Sequence, residues 1–166
     1  MTDILPLWLP ALLDINGSWN EIRDQLYAVF CADFLRDRPR YEGLVLEFDR
    51  RKLHGDGHEE AFWHLVTSTD QQTGDRLLDA PRARRLRWCR ATIDHNKPPD
   101  VLVFDYEEGT GRIRRYLWVH KCDYLVVLEL RSGAGPQRKC FLVTAFYLDG
   151  HSSKRRIQQK YDRRMT

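Results

Sequence analysis

No run of apolar residues in this 166-residue chain approaches the ~20 that a membrane-crossing helix needs. There is no internal repeat and no low-complexity tract, which sets aside repeat arrays and biased linkers. Cysteine is sparse and scattered: Cys31, Cys89, Cys122 and Cys140 form no CxxC pair. That spacing argues against a structural zinc site and fits reduced, structural thiols in a cytoplasmic protein. The stretch Ile4 to Leu13 is apolar but has no basic residue before it, begins beside Asp3 and holds Pro6 and Pro10. It is expected to be an extended segment packed on the body rather than a signal peptide.

Charge, by contrast, is abundant. The net +3 hides an asymmetry: residues 1–60 carry 7 Lys/Arg and 12 Asp/Glu, a balance of −5, and residues 61–166 carry 20 and 12, a balance of +8. A positive field over the second part favours a polyanion or an acidic protein as partner. The length fits a single domain with a sizeable core, spanning 1–166, with a helical part over 1–40 and an α+β body over 41–166.

Along the chain, Ser18-Trp19-Asn20-Glu21 has the form of a capping box. Ile22, Leu26, Val29, Phe30 and Phe34 follow at helical spacing, predicting a helix from about 18 to 36 that ends before Pro39. Gly43 to Lys52 alternates as a strand does, with Leu44, Leu46 and Phe48 on one side. Phe62-Trp63-His64-Leu65-Val66-Thr67 reads as a buried strand over 60–68. Asp79 and Pro81 open a helix expected over 80–94, and Asn96-Lys97-Pro98-Pro99-Asp100 breaks it. A β-meander follows, with strands at 101–106, 112–119, 124–131 and 139–148 and turns at 107–111 and 132–136. A basic helix from Ser152 to Arg164 closes the chain. The fold class expected is α+β: an N-terminal helix packed on a twisted antiparallel sheet of five or six strands, with a C-terminal basic helix.

Two polar residues stand out because they interrupt apolar segments: His64 and Thr144. Histidine is the side chain suited to give or take a proton near neutral pH. Arginine forks on a helix face suit phosphate, and Arg82, Arg84, Arg85, Arg87 and Arg90 crowd one predicted helix. A proton-transfer group near a phosphate clamp is a minimal apparatus for cutting RNA. The plainer alternatives are a hydrogen-bonded core histidine and a solvated arginine face. The loop His54-Gly55-Asp56-Gly57-His58 has an H-x-D-x-H spacing compatible with a divalent ion. Two glycines and the want of a fourth ligand favour a connecting turn instead, so neither metal nor cofactor is expected.

Phe62-Trp63-His64-Leu65, the Arg82-Ala83-x-Arg85-Leu86-x-Trp88 stretch, the Phe141-Leu142-Val143-Thr144-Ala145-Phe146 strand and a basic C-terminal element with Lys160 and Tyr161 together resemble the barnase–EndoU–colicin–RelE-like ribonuclease superfamily, most of all its prophage-associated branch. The likeness spans roughly residues 40 to 161. It implies a metal-independent, toxin-like endoribonuclease, with an antitoxin or immunity protein as a further partner. On matching positions it implies His64 as acid/base, Arg82 and Arg85 as the phosphate clamp and Thr144 as the late-strand hydroxyl. The family's second proton partner has no secure match; Lys160 or Tyr161 are the candidates, with His120 and His151 behind them. Arg84, Arg87, Arg90, Lys154 and Tyr161 are the expected RNA contacts around that centre. Two other functions fit the same basic surface: an RNA-binding module using Trp88, Tyr116 or Trp118 for stacking, and a prophage-encoded interaction protein that meets an acidic partner.

Overall fold

The computed structural model describes residues 4–132, 135 and 138–166. Ser18 caps α1 (Trp19–Phe30): its side chain accepts from the Glu21 N–H, and Glu21 accepts in return from the Ser18 N–H. The helix runs directly into a π-helical turn, Cys31–Arg36. β1 (Arg40–Tyr41) and β2 (Leu44–Glu47) form a tight hairpin whose two turn residues, Glu42 and Gly43, both have positive φ, at 49° and 77°. That pairing matches the right-handed twist of the strands.

At residues 60–66 the structure departs from the strand expected there. The segment is a helix, α2 (Glu60–Val66). Every one of its residues but His64 is buried. A short apolar run carries no periodicity when it is surrounded on all sides, so helix and strand look alike in sequence. α2 then passes into a two-stranded ribbon, β3 (Thr67–Thr69) with β4 (Arg76–Leu78). The expected 80–94 helix is two helices, α3 (Ala80–Arg84) and α4 (Leu86–Asp94), broken where Arg85 leaves helical geometry. Asp79 caps the first by accepting from the Arg82 N–H.

The main sheet has six strands in the order β1-β2-β8-β7-β6-β5. Here β5 is Leu102–Glu107, β6 Ile113–Val119, β7 Tyr124–Ser132 and β8 Arg138–Tyr147. The α+β expectation therefore holds, with one correction: β2 pairs with β8 in parallel, while the other neighbours are antiparallel. Of the turn expected at 132–136, residues 133, 134 and 136 lie outside the described residues. Val127 pairs with Thr144 and Leu128 with Leu142, so Val143 is the extra residue of a bulge in β8. The closing helix, α5, spans Gly150–Asp162.

Each face of the sheet has its own core. On one, Leu117, Val126, Leu128 and Leu142 pack with Phe30, Phe34, Phe62 and Trp88 from the helices. On the other, Phe104, Tyr116, Trp118, Leu125 and Val127 pack with Ile157 of α5. The N-terminal strap joins the first core. Trp8 lies on the His95 ring and donates to Asp100 at 3.0 Å, and the Trp88 indole donates to the Pro10 carbonyl at 2.8 Å. Among the described residues no helix is long and apolar enough to cross a membrane.

Phe30 is fully buried and meets the rings of Tyr27, Phe34, Phe48 and Phe62. Phe30→Ala should cost about 3–5 kcal/mol in urea unfolding, since so crowded a site cannot collapse onto the cavity.

Candidate active site

α2 lies against β8, and His64 of the one and Thr144 of the other line the same cleft. His64 is the one exposed residue of the helix, its side chain 49% accessible. One turn earlier, Glu60 is buried, and the two approach at 3.7 Å between Nε2 and Oε1. Glu60 also meets Arg76 Nη1 at 2.8 Å and His54 Nε2 at 3.0 Å. Burial pushes the His64 imidazole below the ordinary histidine range, and the Arg76 charge pushes the same way; Glu60 and Asp49 offset this only in part. The shift favours the neutral ring, the form that can accept a proton.

His64, Asp49, Thr144, Arg114 and Arg131 line one cleft. Arg114 and Arg131 meet the same carboxylate, Glu129, at 2.8 and 2.6 Å. The two guanidinium groups share this one carboxylate, and Asp49, paired with Arg51 at 2.6 Å, adds a second carboxylate to the lining. Past Arg114, Val143 and Thr144 the cleft continues as a groove beside α5, lined by Glu108, Tyr116, Arg156 and Lys160. There Lys160 Nζ donates to both Glu108 oxygens at 2.8 Å and to the Tyr116 hydroxyl at 2.7 Å. Tyr116 in turn donates to Glu108. Burial raises the Tyr116 phenol well above its usual range, and its bond to Glu108 adds to this.

The helix arginines take other places. Arg82 Nη1 donates to the His64 and Thr67 carbonyls at 2.8 and 3.0 Å, closing the C-terminal end of α2. Arg85 donates to the Pro81 carbonyl and lies 3.9 Å over the Tyr147 ring. Neither lines the cleft; the arginines that do are Arg114 and Arg131. Arg84 bonds the Leu13 carbonyl, and Arg90 bonds the Asp33 and Asp37 carbonyls and meets Asp94 at 2.9 Å. Arg87 is exposed, and Lys154 pairs with Asp123 at 2.8 Å. Tyr161 packs against Phe104 and Trp118, away from proton transfer. His120 lies edge-on to Trp118, and His151 is exposed in the first turn of α5.

Trp88, Tyr116 and Trp118 are 3%, 4% and 7% exposed, so none presents a ring face on which an RNA base could stack. In the 54–58 loop, His54 is engaged by Glu60, and His58 by Asp56 at 3.3 Å and by the Tyr27 ring. Among the described residues no three His, Cys, Asp or Glu side chains gather as a metal-binding group.

Sequence reasoning missed Arg114, Arg131 and Glu60. Arg114 shares a strand face with Tyr116 and Trp118, which alternation could have shown. Glu60 becomes a neighbour of His64 only when the segment is helical, four residues apart and one turn away. No family model matches the chain, and no curated protein or solved structure matches it.

Arg82→Ala should lower unfolding stability by about 1–3 kcal/mol, because two carbonyls, that of Thr67 part-buried, lose their charged donor. Its affinity for a single-stranded oligonucleotide should stay at the wild-type value in a fluorescence-anisotropy titration.

Proposed function

We propose that this protein is an endoribonuclease that cleaves RNA without a metal ion, through attack of a 2′-hydroxyl on the adjacent phosphorus. The supporting observation is the accessible His64, backed by buried Glu60 and lining one cleft with Thr144, Arg114 and Arg131. The resemblance to the barnase–EndoU–colicin–RelE-like superfamily points the same way.

In this reading His64 takes the 2′ proton as the 2′-oxygen–phosphorus bond forms and the phosphorus–5′-oxygen bond breaks. Arg114 and Arg131 offset the charge on the phosphorane oxygens, and the Thr144 hydroxyl orients one of them. Lys160, in the groove beyond, donates the proton that the leaving 5′-oxygen needs. The products are a 2′,3′-cyclic phosphate and a 5′-hydroxyl. DNA, with no 2′-hydroxyl, is spared. Such an enzyme would act in the cytoplasm, and an acidic immunity protein closing the cationic cleft is the regulator its charge suits. The buried state of Trp88, Tyr116 and Trp118 favours cutting over the stacking module that the sequence alone left open.

His64→Gln should remain folded, because the side chain is half exposed, and should bind RNA while cleaving it at least about 10²-fold more slowly. Full cleavage by that variant would defeat the assignment. Arg114→Ala should weaken oligonucleotide binding and reduce the slope of log affinity against log salt by about 0.7, the value for one phosphate contact on a single strand. EDTA should leave the wild-type cleavage rate unchanged; a loss restored by added divalent cation would refute the metal-free mechanism.

A further inference from the structure

A second groove is joined to the cleft through Glu60, which meets His54 and Arg76 of the groove and His64 of the cleft. Trp19, His54, Trp63, Thr67 and Arg76 line the groove, with Asp56 at its rim. Trp63 is 8% exposed and forms its floor; Trp19, at the start of α1, is 44% exposed and forms a wall. The two indoles lie 6.4 Å apart between centroids, inclined at 30°. The His54 ring stands edge-on to Trp63 at 6.4 Å. One carboxylate links this aromatic groove to the proposed catalytic centre, since Glu60 Oε2 meets His54 and Glu60 Oε1 meets both Arg76 and His64.

We infer that the Trp19–Trp63 groove is a nucleobase subsite, which holds an unstacked base of the RNA chain next to the phosphate placed in the His64 cleft. The inference rests on the ribonuclease reading for its substrate and deepens it: the substrate class becomes single-stranded RNA. The exposed Trp19 indole offers one face to a flat heterocycle of any identity, over the floor that buried Trp63 provides, and stacking of one base typically strengthens binding several-fold or more. His54, Asp56 and Arg76 supply polar groups around the groove, through which preference among bases arises. Duplex RNA keeps its bases stacked and cannot enter such a groove. The 54–58 loop then has a purpose beyond connection, since it brings His54 to the groove and closes its outer side.

The test uses a labelled 2′-O-methyl oligonucleotide of mixed sequence, which cannot be cut, together with sequencing of the cut sites on ordinary RNA. Trp19 caps no other residue and is partly exposed, so Trp19→Ala should fold; circular dichroism checks this, and Trp19→Phe and His54→Ala serve as companions. Trp19→Ala should bind the single-stranded oligonucleotide at least about fivefold more weakly, the lower end for one lost stacked base. Trp19→Phe should keep most of the affinity, and His54→Ala should change the bases found beside the cut. A 2′-O-methyl duplex should compete poorly against the wild type. Unchanged affinity and unchanged cut sites in Trp19→Ala and His54→Ala, with RNA still cleaved, would overturn the subsite and leave the ribonuclease reading standing. Oligonucleotide binding that depends on Trp19, with no cleavage by the wild type, would support the subsite and overturn the ribonuclease reading.

Discussion

Glu60 is a buried carboxylate, and everything proposed for this protein depends on how its charge is satisfied. A carboxylate 6% exposed must be surrounded by cations or strong donors, or it would cost several kcal/mol. Here Arg76 meets it from β4, His54 from the loop before α2, and His64 from one turn further along its own helix. Three separate pieces of chain are thereby referred to one point. The imidazole that faces the cleft and the imidazole that faces the aromatic groove are both set by the same group, so the two spaces have a fixed relation.

The arginines divide by what the backbone around them leaves open. Those of the 82–90 segment other than the exposed Arg87 sit where helix ends, the N-terminal strap and the π-helical turn present carbonyl oxygens, and they are engaged in bonding them. Arg114 of β6 and Arg131 of β7 lie on the sheet face that α5 covers only in part. Their partners are side chains, and Glu129 is too few to neutralise both. Positive charge on this molecule is thus structural where it is densest in sequence, and available to a ligand where it is sparser.

Much of the fold was legible because its signals are local. The capping box at Ser18, the helical stripe through Phe30 and Phe34, and the alternation through 101–147 each need only neighbouring residues to be read. What was not legible depends on surroundings. α2 is buried on every side but one, so its apolar run has no period. The parallel β2–β8 pair joins residues almost a hundred positions apart, with no hairpin turn to announce it. At the site, His64 and Thr144 were visible as polar residues within apolar segments. The identity of the arginines beside them was not, since a guanidinium that binds carbonyls and one that faces a ligand are identical in sequence.

To act as the base, His64 must be neutral at physiological pH and lie where RNA phosphate binds. A titration of the His64 ring by NMR, with and without a 2′-O-methyl oligonucleotide, measures both properties at once. Without ligand the midpoint should fall below the ordinary value of ~6.5, because burial and Arg76 disfavour the imidazolium. With the oligonucleotide bound it should rise, because a phosphate beside the ring favours the charged form. A midpoint at or above ~6.5 in the free protein, unmoved by the oligonucleotide, would contradict the role proposed for His64.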